Sequence, residues 1–500
     1  MNRNLAYLFV FLGVVLVVFA ACSPATPPAA TEVIPQTGAT EAPVATEAPT
    51  EAPTEAPIEL TGDITRGGRL YDKWTDELGV DVPEGDHPLW ATQTTNTRTG
   101  SDTWRCKECH GWDYKGADGA YGSGSHETGF VGVMGVSGMD PNEILGILKG
   151  SNNPDHDFSV YMDDQALTDL ALFLSGELRD DSALINADKS LTGGDVEAGK
   201  TFVDETCVVC HGPQGLGINF GDSSEPEYQG TVASDNPWEF MHKIRFGQAG
   251  FAEMPSLVDD GVSDEELANV LAYVAAFPTS APVSEGGVLY DNWMAAMGVE
   301  TPATDQPLFA TQTTNTRTGA DTWRCKECHG WDYKGAEGAY GSGSHQTGFK
   351  GVWDSSTMSA EELTAWLDGT NNPDHNFVGE GMMGEAQVEM MVAFLQSEKI
   401  DASALVDAEG VVTGGDGQRG QELFNSNCSD CHGEDGKTLN FGDDAEPEFI
   451  GTLAADNPWE FVHKVSYGEP GEVMPSGINM DWTLQDIIDM LTFAQTLPAK

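Results

Sequence analysis

Basic residues are scarce in this 500-residue chain: 24 lysines and arginines stand against 80 aspartates and glutamates, a formal charge of −56. A surface this acidic repels nucleic acid and anionic membrane faces and keeps the chain soluble, so any docking partner is expected to present a basic face. Long apolar runs are also missing, apart from residues 5–21, which excludes a chain that crosses a membrane many times. Strand signals are weak, because short alternating stretches such as 130–136 are rich in glycine. Cysteine is limited to nine residues. Against these absences, 39% apolar and 21% charged residues describe folded material rather than a disordered polymer.

The apolar run follows Asn2-Arg3-Asn4 and stops at Cys22, which makes residues 1–21 an export signal. Phe19-Ala20-Ala21-Cys22 resembles the lipobox of bacterial lipoproteins. The resemblance implies acylation of Cys22 and a membrane anchor facing the periplasm or the cell exterior; two or more acyl chains hold such a protein stably. Residues 22–60 then form a Thr/Pro/Ala/Glu tract with almost nothing to bury, a disordered tether stiffened by proline.

Beyond it the sequence repeats. Asp102–Ala117, DTWRCKECHGWDYKGA, recurs unchanged as Asp321–Ala336, and Asn236-Pro-Trp-Glu-Phe returns as Asn457-Pro-Trp-Glu-Phe. Turn-rich joins such as Leu191-Thr-Gly-Gly-Asp divide each copy again. The expected order is A (61–185), B (190–280), A′ (281–402) and B′ (410–500), two tandem copies of a two-domain unit. Periodicity predicts helices over 67–74, 164–174, 198–204, 264–275, 385–395 and 484–492. The fold class expected is all-α.

Each segment carries one Cys-x-x-Cys-His motif: Cys106, Cys109 and His110; Cys207, Cys210 and His211; Cys325, Cys328 and His329; Cys428, Cys431 and His432. Two cysteines three apart share one face of a helical turn, so both thiols reach the vinyl groups of one haem while the next histidine turns beneath its iron. One such motif is equally a disulfide or half a zinc site. Four copies using eight of the nine cysteines point to four covalently attached haem c groups.

With Met254-Pro255 and Met474-Pro475 downstream of their motifs, segments B and B′ resemble class I cytochromes c, small all-helical haem domains. The resemblance implies Met254 and Met474 as distal iron ligands, which raise the potential. Segments A and A′ lack the Met-Pro pair and leave two candidates: His156 with His375, or Met162 with Met383. Met254 lies seven residues past Gly247; His156 is six past Gly150, and Met162 is twelve past it. Spacing therefore favours His156 and His375. His126 and His345 are third-choice ligands in glycine-rich loops. His242 and His463 read as exposed, Arg105 and Arg324 as propionate partners or surface residues, and Trp104, Trp112 and Trp238 as haem-packing aromatics.

If every iron has two protein ligands, no position is open for substrate, and the expected function is electron transfer between redox partners. The rival is a multi-haem oxidoreductase acting on a small inorganic substrate, similar to thiosulfate dehydrogenases. Those often place a cysteine on the iron, and none is left here. A gas or redox sensor would need an output domain, and none is recognisable.

Overall fold

Helix boundaries in this chain are set by short polar caps at both ends of each apolar face. Asp63 accepts a hydrogen bond from the Arg66 amide and Gly79, in the left-handed region at φ 62°, closes the other end of α1 (Ile64–Leu78), so the helix outruns the predicted 67–74 by three to four residues at either end. Asp163 caps α2 (Asp164–Gly176) in the same way, and Asp195 caps α3 (Val196–Thr206). Proline opens α4 (Pro237–Phe246), and Ser263 with Glu266 forms a capping box on α5 (Asp264–Val274). The second copy repeats the set as α6 (Pro282–Ala296), α7 (Glu385–Gln396), α8 (Gly417–Asn427), α9 (Pro458–Tyr467) and α10 (Leu484–Ala494).

The structure, a computed structural model, describes residues 60–499 apart from 253, 408–409 and 443–444. The export signal (1–21), Cys22 and nearly all of the tether (22–60) lie outside the described residues. Among the described residues there are isolated bridges but no strand, and no helix is long and apolar enough to cross a membrane.

In every segment the first helix packs across the last: α1 on α2, α3 on α5, α6 on α7, α8 on α10. Each crossing is made at one glycine. A Cβ on Gly67 would stand 2.3 Å from the Asp169 carbonyl oxygen, on Gly199 2.0 Å from that of Asn269, on Gly286 2.2 Å from that of Met390, and on Gly420 1.9 Å from that of Asp489. Backbone thus meets backbone, and no side chain fits between. Gly199→Ala is expected to cost about 1–3 kcal/mol, the range for overpacking a well-filled contact, seen as a lower denaturation midpoint.

Buried side chains fall into four clusters that follow the segments, but the clusters trade members. Phe246 of B enters the core of A, Tyr467 of B′ enters that of A′, and Trp112 and Tyr121 of A lie in the core of B. His242 is the pivot of the first exchange and is 1% exposed, correcting the expectation of a surface residue. Its Nε2–H donates to the Gly68 carbonyl at 2.9 Å, so its Nδ1 accepts from the Tyr114 hydroxyl at 2.7 Å. His463 repeats the pair with Gly287 and Tyr333 at 3.0 and 2.7 Å. With both nitrogens satisfied the ring is buried at little cost, and burial pushes both imidazoles down to about 4, which keeps them neutral.

Candidate functional site

Cys106–His110 and Cys325–His329 are single helical turns that end in glycines 111 and 330, both at φ 79°, where the chain leaves sharply. His110 Nδ1–H donates to the Val131 carbonyl at 2.7 Å, and His329 Nδ1–H to that of Lys350 at 2.6 Å. A carbonyl only accepts, so the proton is fixed on Nδ1 and the Nε2 lone pair is left for a metal. Burial pushes both imidazoles down to about 4, the neutral form that ligation requires.

Facing each of these rings is the histidine that spacing favours. The ring centres of His110 and His156 are 6.2 Å apart, and those of His329 and His375 are also 6.2 Å apart. Two imidazoles bound on opposite sides of one metal, each at about 2 Å, put their ring centres about 6 Å apart. His375 Nδ1–H donates to the Trp366 carbonyl at 2.9 Å, again freeing Nε2.

The distal loop is held closed at its base. Lys149 bridges to Asp157, the Phe158 amide donates to the Leu148 carbonyl at 2.9 Å, and Asn153 caps the Asp155 amide at 3.0 Å. Gly150, at φ 74°, makes the turn against the Asp157 Cβ. Phe158 and Phe377 stand edge-on to the distal rings at 5.1 and 4.9 Å. Met162 and Met383, the alternatives, are 3% and 0% exposed within the apolar cores of A and A′.

In B and B′ the motif turns are Val208–His211 and Ser429–His432. Nδ1 of His211 and of His432 is buried without a hydrogen-bond partner. Met254 and Cys207 border one apolar core, and Met474 and Cys428 border another. The backbone carbonyls of Met254 and Met474 lie against Gly247 and Gly468, both at positive φ, where a Cβ would be 2.8 and 3.0 Å away; each methionine loop is thereby folded back onto the helix before it.

The remaining candidates are used elsewhere. Arg105 and Arg324 are not free surface residues: each is ion-paired to a fully buried carboxylate, Asp72 or Asp291. His126 and His345 stack on Tyr121 and Tyr340 at 4.8 Å. His87 accepts the Leu89 amide and stacks on Phe158; its counterpart Gln306 caps the Leu308 amide and donates to the Asp374 carbonyl at 2.6 Å, steadying the loop of His375. Trp104 belongs to the core of A, and Trp112 and Trp238 to that of B. The carbonyls that fix the histidine tautomers could not be read in sequence, because a backbone acceptor leaves no residue signature.

Cys106, Cys109, Cys207, Cys210, Cys325, Cys328 and Cys428 carry no disulfide. Burial pushes the Cys106, Cys109, Cys325, Cys328 and Cys428 thiols up to about 12, so they are unsuited to act as thiolate nucleophiles. Paired thiols on one face of a turn, a neutral histidine at its end and an opposed imidazole at metal-spanning distance fit a covalently held haem.

Such sites define a c-type cytochrome. Residues 194–274 and 415–493, most of B and B′, each match the family Cytochrome C oxidase, cbb3-type, subunit III, a cytochrome c-type domain. No curated protein matches the chain. Among solved structures, thiosulfate dehydrogenase from Marichromatium purpuratum, in its as-isolated form, is similar at 16% identity over 78% of this chain and 86% of that one, with a TM-score of 0.18.

Proposed function

We propose that the chain is a four-haem c-type cytochrome that passes electrons between redox partners at the outer face of the cytoplasmic membrane or in the cell envelope. Its domains are A, B, A′ and B′, and it is held to the membrane through Cys22. The observation that carries the reading is the pair of opposed histidines in A and in A′, 6.2 Å apart in both copies. His110 and His156, and His329 and His375, would hold the irons of the A-type haems; His211 with Met254, and His432 with Met474, would hold those of the B-type haems. Haem supplies a one-electron iron couple; the chain fixes its ligands, buries its faces and keeps its histidines neutral.

With both axial positions filled by protein, electrons move by the outer-sphere route. Imidazole opposite imidazole favours the oxidised state more than a thioether does, so each A–B pair joins a lower-potential haem to a higher-potential one. The excess of 56 negative charges suits partners with basic docking faces.

A visible spectrum of the oxidised protein tests the ligation. The sulfur-to-iron charge-transfer band is expected at the strength of two methionine-ligated haems out of four, unchanged by thiosulfate, nitrite or cyanide. A band of four-haem strength would assign Met162 and Met383 to the iron, and a prompt shift with thiosulfate would favour the enzyme.

A further inference from the structure

The second copy of the repeat is seated on the first through a junction whose two halves both recur, without that partner, at the ends of the molecule. On the side of B, the loop 219–228 meets Glu285 at the start of α6. Asn219 Nδ2 donates to Glu285 at 3.0 Å, Ser223 Oγ at 2.8 Å, and the Tyr228 hydroxyl completes the set. The Ser223 amide donates to the Ala296 carbonyl at 2.9 Å. On the side of B′, Asn479 Nδ2 donates to the Leu216 carbonyl at 2.9 Å, and the Ser476 amide to that of Gly217, also at 2.9 Å.

The loop of B recurs in B′ as 440–449, and its described residues repeat the same asparagine caps. Asn440 caps the Gly442 and Glu448 amides at 3.0 and 2.9 Å, as Asn219 caps those of Gly221 and Glu227 at 3.0 and 2.8 Å. Yet Tyr228 is 1% exposed under the second copy, whereas its counterpart Phe449 is only partly covered. The other half recurs in the first copy. There Thr65 donates to Asp259 at 2.8 Å, as Ser284 pairs with Asn479 at 2.8 Å.

Charges at the two ends have changed together. Glu285 and Val288 of the inner junction correspond to Arg66 and Arg69 at the outer end of A, while the loop of B′ carries four carboxylates where that of B carries three. Leu216 corresponds to Lys437, and Asn479, which meets it, corresponds to Asp259. Both changes place opposite charges across the junction that would form if another copy followed.

We propose that the B′ end of one molecule docks on the A–B end of a second copy of this chain, repeating the inner junction in head-to-tail fashion. The contact is heterologous, so it propagates into a row unless the rotation closes it. It sets the last motif of one copy beside the second motif of the next, just as Asp430 lies within electrostatic reach of Cys210 inside the molecule. The docking surface comprises Arg66, Arg69 and Asp259 on one end and Lys437, Phe449 and the carboxylates of the 440–449 loop on the other.

Sedimentation velocity of the haem-loaded full chain tests this. Species larger than a dimer are expected to grow with concentration and to weaken by about tenfold or more at high salt, because the contact is charge-assisted. Arg66→Glu blocks one end and the double variant Lys437→Glu/Glu446→Lys blocks the other. Each alone is expected to stay monomeric, while an equimolar mixture forms dimers through the two intact faces. Arg66 also bonds Asp169 at 2.7 Å; should its variant misfold, the double variant decides the matter alone. A monomer at every concentration, or association that the double variant leaves intact, overturns the proposal. So does a closed two-fold dimer that either variant still forms.

Discussion

Asp72→Ala is expected to remove about 3–5 kcal/mol from the first A–B pair, read as a lower thermal midpoint by circular dichroism, and Asp291→Ala the same from the second. Asp72 is 0% exposed; one carboxylate oxygen pairs with Arg105, and the other takes Lys243 of segment B at 2.8 Å. Removing one member of such a cluster strands the others at the boundary between segments, and the range quoted is that for breaking a buried pair. Burial works to raise the carboxyl pKa, but Lys243 and Arg105 overcome it and hold the group well below the usual carboxylate range. A pKa depressed on folding gives stability that is full above the unfolded value of about 3.9 and lost as pH falls through the folded one. Wild-type protein is therefore expected to lose this increment below about pH 4, and the alanine variant, lacking it already, to show a flatter acid limb. An equally steep limb in the variant would place the acid sensitivity elsewhere.

His156→Met is expected to raise the midpoint potential of one haem by on the order of 0.1–0.2 V, a fraction of the roughly 0.8 V that axial ligands span. The 6.2 Å separation from His110 and the loop pinned by Lys149 and Asp157 fix a side chain at this position over the iron. Potentiometry of the variant beside His375→Met would move one component each. Four unmoved midpoints would show that the distal ligand of the A-type haems is another residue.

Much of the site was legible because covalent haem attachment demands a fixed spacing, and the duplication printed that spacing four times. The choice of His156 over Met162 rested on loop length, counted from Gly150. Gly150 and the Lys149–Asp157 bridge fix where the loop begins, so counting from the glycine measures reach. Helix cores were legible from periodicity, but their ends were not, since Asp63 and Gly79 act through caps rather than through the apolar pattern. His242 and Arg105 were misread for one reason. Each is polar, and sequence shows polarity without showing the Tyr114 hydroxyl or the Asp72 carboxylate that makes burial affordable. The crossing glycines carry no chemistry and stood unremarked among the chain's 58 glycines.

The exchange of core residues between A and B bears on the order of events in making the protein. Lys107 and Glu108, the two residues between the first pair of cysteines, are 5% and 0% exposed. The Lys107 ammonium lies 5.2 Å from the ring centre of Trp112, which is itself built into the core of B with Lys243 of that segment on its other flank. On the proposed function, machinery joining haem to Cys106 and Cys109 would reach the back of this turn only before B closes over A. Because A precedes B in the chain, the interval until B is made would be the time allowed for the first attachment.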